Sequence, residues 1–286
     1  MIAQRLFTSW ERAILILSIA PLLGSGCSRD RGNAKSPAAV VSSDARGEHF
    51  YRTSFPQIEN PISESGVWVG GSSAGASIRA GGSLWSRGRL WGNVQTNHSV
   101  AYGVDEPTEF GDPTAILAGS WGPTQSVTAT VHINNVPMGG CCHEVELRLR
   151  TTITSRSITG YEAYCSVMSD NQYCHIARWN GPNGSYWNFE TGSSATYLAE
   201  GDVITATATG TNPTVIILYK NRRKILEAKD TGAAGGGFGA FGPWISGGPG
   251  IGFYDNHDRN WESFGFSSFS ATDSSRPAIL RQMGLP

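Results

Sequence analysis

Several segments of this chain alternate apolar with polar side chains every two residues, and this alternation limits the fold more than any other feature. Because successive side chains of a β-strand point to opposite faces, a two-residue period predicts strands with one buried face. The segments are also rich in Val, Ile, Thr and Tyr, which favour strands. They are Ser126–Ile133, Glu144–Ile153, Gly160–Val167, Tyr173–Trp179, Asp202–Gly210 and Thr214–Asn221.

Turn-forming residues separate these segments. The chain contains 36 Gly and 14 Pro, which is typical of many short turns rather than long helices. Short strands without intervening helices predict an all-β fold, in which two antiparallel sheets pack as a β-sandwich or jelly roll.

The first 26 residues have the features of an export signal. Arg5 and Arg12 are basic, and an apolar run follows at residues 13–23. Small residues then precede Cys27. Because the apolar run is too short to cross a bilayer comfortably as a helix, we expect residues 1–26 to be a signal peptide.

The segment Gly24–Cys27 resembles the lipobox of bacterial lipoproteins. The resemblance implies cleavage before Cys27, a lipid on its sulfur, and a place at the outer membrane or cell surface. The alternative is an ordinary secretory peptide, which predicts a periplasmic or secreted protein. Contact with a membrane is expected only through this N-terminal lipid anchor.

The remaining chain divides by composition. Residues 27–49 are small and polar without a period, which is typical of a flexible tether. One β-sandwich domain is predicted over residues 50–271, and residues 272–286 form a C-terminal tail.

Charge excludes one class of partner. The formal net charge is −1 at pH 7, and the basic residues form no cluster. A nucleic-acid partner is therefore not expected, because such binding depends on neutralising phosphates.

Four cysteines follow Cys27, and an even number in an exported chain indicates disulfides. Cys165 and Cys174 flank a hairpin-like stretch, so we expect these two to pair. Cys141 and Cys142 are adjacent, and since a ring between neighbours is strained, they are expected to stay reduced.

The order of several segments resembles the concanavalin A-like lectin and glucanase superfamily, which includes laminin-G-like domains. The matching segments are Asn60–Trp68, Gln125–Val131, Val145–Arg150, Gly160–Tyr164, Glu200–Gly210, Leu218–Asp230, Gly247–Asn256 and Glu262–Ala271. The resemblance implies a concanavalin A-like jelly roll with a concave face that often handles glycans. It therefore implies a polysaccharide or other glycan as the partner.

Alternation within the segment 144–150 places two kinds of residue on opposite faces. The apolar side chains are expected to face the core. The polar side chains are expected to face outwards as one stripe, and they are Glu144, Glu146, Arg148 and Arg150. The simplest interpretation of this stripe is an ion-pair surface.

Two enzyme hypotheses use the same stripe. Glu144 and Glu146 lie about 6–7 Å apart along a strand, within the range of glycosidase carboxyl pairs. A glucanase of this superfamily has a third carboxylate where this chain has Arg148.

A lyase of the jelly-roll type needs a cation for a uronate carboxylate and a base for a proton. Arg148 or Arg150 suits the first role. The residues that suit the second role are His132, Tyr161 and His175.

Glycan binding without chemistry is the leading hypothesis, because no catalytic motif is intact. Trp91 and Trp187 are the stacking candidates, and His98 and Tyr102 follow Trp91 closely. The sequence thus predicts a glycan-binding or cell-surface interaction module, with a jelly-roll lyase or glycoside hydrolase as the alternative.

No organic cofactor is expected. Asp255, Asn256 and Asp258 supply oxygen atoms that suit a structural Ca²⁺. The alternative for this segment is a solvated turn.

Overall fold

The β-rich segments form antiparallel strands in a computed structural model of the protein. The structure describes residues 42–43, 48–70, 93–97, 99–104, 112–136, 142–154, 157–181, 186–192, 197–233, 242–255 and 263–274. The strands in these ranges are β1 (Ser42–Ser43), β2 (His49–Thr53), β3 (Trp68–Gly70), β4 (Asn93–Thr96), β5 (Ala101–Val104), β6 (Thr114–Leu117), β7 (Gln125–Ile133), β8 (Glu144–Ile153), β9 (Ile158–Ser166), β10 (Cys174–Gly181), β11 (Tyr186–Gly192), β12 (Val203–Thr209), β13 (Thr214–Lys220), β14 (Arg223–Asp230), β15 (Gly248–Tyr254) and β16 (Phe264–Thr272).

Two antiparallel sheets are built from these strands. In the described part of the chain, the front sheet has seven strands in the order β11-β10-β9-β8-β15-β6-β3. The back sheet has nine described strands, with the order β1-β2-β16-β7-β12-β13-β14 and with β5 joining β4 to β16. Strand β8 of the front sheet packs across β7 and β12 of the back sheet. The predicted all-β, two-sheet sandwich is confirmed.

Several strand limits follow from local sequence. Strand β8 has the predicted bounds Glu144–Ile153. Strand β13 ends at Lys220, and β14 begins at Arg223. Asn221 and Arg222 between them have φ angles of 49° and 69°, and a two-residue hairpin loop with positive φ matches the twist of antiparallel strands.

Apolar side chains from the inner faces of both sheets form the core. Val145, Leu147 and Leu149 of β8 are buried there, as their alternation predicts. Facing residues in β7 of the back sheet are Val127, Ala129 and Val131. Each buried Val or Leu contributes ~1.5–3 kcal/mol to folding by leaving water.

A β-bulge keeps the aromatic residues of β16 on one face. Phe264 and Phe266 are two residues apart, but Phe269 is three residues further along. The pairing of β16 with β7 shifts between Phe266 and Ser268, so Phe269 returns to the inner face. All three Phe side chains are buried, and rings of this size remove a large apolar area from water.

Cys165 and Cys174 are directly opposite each other in β9 and β10, and a disulfide joins them. Both cysteines belong to the buried core. Cys142 is also disulfide-bonded, so the expectation that it stays reduced is wrong.

The two ends of the described domain lie side by side. Strand β2 begins at His49, and it pairs with β16 near the end of the fold. Asp273 accepts hydrogen bonds from the backbone N–H groups of His49 and Gly122, at 2.5 and 2.7 Å. Strand β1 lies within the predicted tether and pairs with β2, so ordered pairing starts earlier than the sequence indicates.

Candidate functional site

Polar side chains gather on the outer face of the front sheet, the face turned away from the core. Strand β8 places Glu146 beside Tyr164 of β9, and Tyr164 is itself beside His175 of β10. The next row places Arg148 beside Glu162. Because cross-strand neighbours are about 4.5–5.5 Å apart at Cβ, these side chains contact one another.

Arg148 binds three carboxylates at once. Its Nη1 donates to Glu162 Oε2 at 2.8 Å, and its Nη2 donates to Asp112 Oδ1 at 2.6 Å and also to Glu146 Oε2. The indole N–H of Trp179 donates to Glu162, and the guanidinium lies 5.2 Å from the centre of the Trp179 ring. We call Asp112, Glu146, Arg148, Glu162 and Trp179 the Arg148 cluster.

The Arg148 cluster is buried, with Arg148 at 0% and Glu146 at 1% exposure. The prediction that Glu146 and Arg148 form an exposed stripe is therefore wrong, although their face is correctly predicted. Gly252 of β15 makes room for the cluster, since a Cβ at this position would come within 2.9 Å of Arg148 Nε and would also meet Glu146.

Burial and mutual repulsion perturb the ionisation of the cluster. Burial raises the pKa of Glu162 to about 7, although Arg148 opposes this shift. Burial also raises the pKa of Glu146 well above its ordinary value, against the attraction of Arg148. Burial alone would lower the pKa of Arg148, but the surrounding carboxylates raise it overall. The Arg148 guanidinium therefore stays charged, whereas Glu146 and Glu162 keep a proton to higher pH than ordinary carboxyl groups do.

Beside the cluster lies a group that we call the aromatic rim: Tyr164, Tyr173, His175 and Glu144. The Tyr164 ring stacks on His175 with centroids 5.1 Å apart, and Tyr173 meets His175 edge-on at 5.1 Å. Tyr173 donates its hydroxyl to Glu144. Tyr173, His175 and Glu144 are partly exposed, so a ligand can contact the rim.

Partial burial also affects the rim. It raises the pKa of Glu144 to about 8, and the hydrogen bond from Tyr173 only reduces the shift. Burial lowers the pKa of His175. Near neutral pH the rim is therefore less charged than its residue types indicate.

Arg150 lies on the other side of β8. Its φ is 50°, and the pairing of β8 with β9 shifts between Leu149 and Thr152. Its guanidinium donates to Thr214 Oγ1 and to the carbonyls of Pro123, Trp244 and Gly210, at 2.6–2.9 Å. The prediction that Arg150 shares the polar stripe is wrong, because the bulge turns this side chain between the sheets.

The proposed lyase bases are also apart from the cluster, except His175. Tyr161 is buried between the sheets, where its hydroxyl donates to Asp230 Oδ2 at 2.7 Å. His132 lies in β7 of the back sheet, and its Nδ1 is 3.3 Å from Glu200 Oε1. Neither residue can act together with Arg148 in this arrangement.

Of the predicted glycan-contacting residues, the structure describes Tyr102 and the backbone of Trp187. Tyr102 is buried in β5, which contradicts a role in contacting sugar. Trp187 lies in β11 with its backbone opposite Arg178, and its side chain lies outside the described residues. Trp91 and His98 lie outside the described residues, and so does Cys27.

Of the three residues in the predicted Ca²⁺ site, the structure describes Asp255 alone. Asp255 is fully buried rather than part of a solvated turn, while Asn256 and Asp258 lie outside the described residues. Within the described ranges, no group of three or more His, Cys, Asp or Glu side chains is arranged to hold a metal ion. In the same ranges, no helix has the length and apolar character needed to cross a membrane.

Asp112, Glu162 and Trp179 belong to the Arg148 cluster, although none of them is among the site residues predicted from the sequence. Glu162 carried a signal, because it interrupts an otherwise apolar and aromatic strand at a position that alternation assigns to the outer face. Asp112 and Trp179 reach Arg148 only through strand pairing, which the local sequence does not show.

The fold is similar to several solved structures at low sequence identity. A Bacillus subtilis protein of unknown function with a galectin-like fold has 10% identity and a TM-score of 0.48, covering 82% of this chain and 98% of that chain. The carbohydrate recognition domain of Emp46p has 9% identity and a TM-score of 0.47, covering 78% and 96%. β-Agarase A in complex with oligoagarose has 10% identity and a TM-score of 0.46, covering 79% and 94%. No protein-family model and no curated protein sequence matches the chain.

Proposed function

We propose that the protein is a glycan-binding module, and that its sugar lies against the aromatic rim. The observation that supports this proposal is the convergence of Tyr173, His175 and Glu144 on a partly exposed part of the front sheet. Aromatic rings offer an apolar surface to the C–H face of a sugar ring, while a carboxyl group accepts its hydroxyl hydrogens.

The Arg148 cluster lies beside the rim on the same face of the front sheet. It contains three carboxyls and one guanidinium, and Glu144 adds a further carboxyl beside it. Arg148, the guanidinium beside the rim, is buried and already bound by three carboxyl groups, so it offers no partner to a uronate or sulfated sugar. The glycan at the rim is therefore an uncharged one.

The burial of Glu146 and Glu162 favours glycan binding over glycan hydrolysis. Glu146 and Glu162 both accept hydrogen bonds from Arg148 and are buried. A glycosidase acid and nucleophile must both reach the scissile bond. One observation favours hydrolysis as the second function: burial raises the pKa of Glu162 to about 7, which suits a general acid near neutral pH.

Calorimetric titration with neutral oligosaccharides selected on a glycan array tests the proposal. Tyr173→Ala is expected to weaken binding by about tenfold or more, because one stacking surface is lost. The control is Tyr197→Ala, which removes an exposed tyrosine that contacts Lys220 instead. Equal affinities for Tyr173→Ala and the unaltered protein would show that the glycan does not bind at the rim.

A reducing-end assay separates the two functions. Incubation with the same oligosaccharides is expected to release no new reducing ends. Release that disappears in Glu162→Gln would show hydrolysis instead.

We also propose export and attachment of the protein to a membrane by lipid on Cys27, on the basis of residues 1–27 alone. Mass spectrometry of the mature N-terminus tests this proposal. The expected result is an acylated Cys27, and an unmodified N-terminus at another residue would refute it.

A further inference from the structure

A depression lies on the outer face of the back sheet, the face that is turned away from the core. The aromatic rim lies on the outer face of the other sheet. The volume of the depression is about 400 Å³, which lies within the usual range for small-ligand sites. Strands β7, β12 and β16 form its floor. The hydroxyl residues of this floor are Thr128, Thr130, Thr205, Ser268 and Ser270, and we call it the hydroxyl depression.

The floor has hydrogen-bond donors to spare. Thr128 Oγ1 lies 2.9 Å from Thr205 Oγ1, and Thr130 Oγ1 lies 2.7 Å from Ser268 Oγ. Because one hydroxyl donates and the other accepts in each pair, each pair retains one hydroxyl hydrogen for a ligand. Ser270 adds a third hydroxyl.

Positive charge borders this floor. Arg222 lines the depression and is exposed, in the hairpin loop that follows β13. Arg52 is exposed and lies directly beside Ser270 in the neighbouring strand β2. Neither arginine forms an ion pair with an acidic side chain among the described residues. The nearby Asp202 is occupied by Lys220 at 2.9 Å and by Asn221 at 2.7 Å.

We propose that the hydroxyl depression is a second binding site, for a short acidic saccharide such as an oligouronate. A guanidinium binds a carboxylate by charge-assisted hydrogen bonds. Ser and Thr hydroxyls then bind the sugar hydroxyls, as donors or as acceptors. The residues that line this depression include no carboxylate that would repel a uronate, in contrast to the Arg148 cluster.

This inference stands independently of the aromatic rim. The two sites lie on the outer faces of different sheets, and the exposed guanidinium of Arg222 lies at the hydroxyl depression and not at the rim. If the rim does not bind a neutral glycan, the proposal for the hydroxyl depression still holds. If the depression does not bind an acidic saccharide, the proposal for the rim still holds.

Calorimetric titration of the full chain with trigalacturonate tests the site. Arg222→Gln is expected to lower the affinity by about tenfold or more, since a charge-assisted hydrogen bond is lost. The matched control is Arg223→Gln, which makes the same change of charge in the next residue but does not line the depression. It is expected to change the affinity by about twofold or less, as for a surface charge screened by salt.

A floor variant gives a second readout that leaves every charge unchanged. Replacing both Thr128 and Thr205 by Val keeps the shape of both side chains but removes the spare hydroxyl hydrogen of this pair, so the double variant is expected to weaken trigalacturonate binding about threefold or more. The urea midpoint of each variant shows that it is folded.

Four results would overturn the proposal. One is the absence of trigalacturonate binding, and another is equal loss in Arg222→Gln and Arg223→Gln, which would indicate general charge attraction. A third is loss of trigalacturonate binding in Tyr173→Ala, which would assign the ligand to the aromatic rim. The last is inorganic sulfate binding as tightly as trigalacturonate, which would show a simple oxyanion site.

Discussion

Replacing Glu162 by Gln is expected to change how the stability of the protein depends on pH. Glu162 is buried, and its pKa is raised to about 7 from an ordinary value of 4.5. In the unfolded chain its carboxyl ionises near the ordinary value, and so at lower pH than in the folded protein. As pH rises between these values, the unfolded state loses its proton first and folding becomes less favourable.

The magnitude follows from the shift itself. Each pKa unit corresponds to about 1.4 kcal/mol, so ionisable Glu162 costs up to about 3 kcal/mol of unfolding free energy above pH ~7. Below pH ~4.5 the side chain is neutral in both states, and the cost is absent. Glutamine keeps an acceptor oxygen for Arg148 and cannot ionise.

Urea unfolding near pH 5 and pH 9 measures the effect, with disulfides kept intact. The free-energy difference between Glu162→Gln and the unaltered protein is expected to move in favour of the variant by about 2–3 kcal/mol from the lower to the higher pH. Glu227→Gln is the control, because Glu227 forms a surface ion pair with Lys224, and no pH-dependent change is expected over this range. A difference for Glu162→Gln that is the same at both pH values would refute the reasoning.

Three other substitutions test how a close contact, a buried ion pair and a disulfide contribute to the stability of the fold. Gly252→Ala is expected to destabilise the fold by about 1–3 kcal/mol in urea unfolding, because a Cβ there overlaps Glu146 and approaches Arg148 Nε; unchanged stability would show that the Arg148 cluster can move aside. Asp230→Asn removes the carboxylate that accepts from Arg178 Nη1 at 2.7 Å, and the same assay is expected to show a loss of about 3–5 kcal/mol from the uncompensated buried charge; a loss below about 1 kcal/mol would contradict this account. Replacing both Cys165 and Cys174 by Ala is expected to cost about 2–4 kcal/mol, seen as a lower Tm in calorimetry, whereas an unchanged Tm would mean that this disulfide does not stabilise the domain.

Alternation predicts the strands well, because it is a local property of the backbone. Val145, Leu147 and Leu149 face the core as expected, and β8 has the expected limits. Arg150 departs from the pattern because of a positive φ and a bulge. The residues around Arg150 carry no sequence signal that predicts this bulge.

The burial of Arg148 follows from features that are distant in sequence. Its partners Asp112 and Glu162 lie 36 and 14 residues away, and strand pairing alone brings them to it. A glycine at position 252 then leaves the space that the side chains fill. Periodicity can assign a face to a side chain, but it does not show which neighbours will cover that face.

The pairing of β2 with β16, closed by Asp273, has a practical consequence for attaching this domain to other structures. A surface support or a fluorescent protein joined before Ser42, or after Ser274, would be attached at the same edge of the sandwich, because β1 pairs with β2 and β2 pairs with β16. Either kind of attachment would leave most of both sheet surfaces free to meet soluble sugars. Immobilised and labelled forms of the domain can therefore be compared directly in the same sugar-binding measurement.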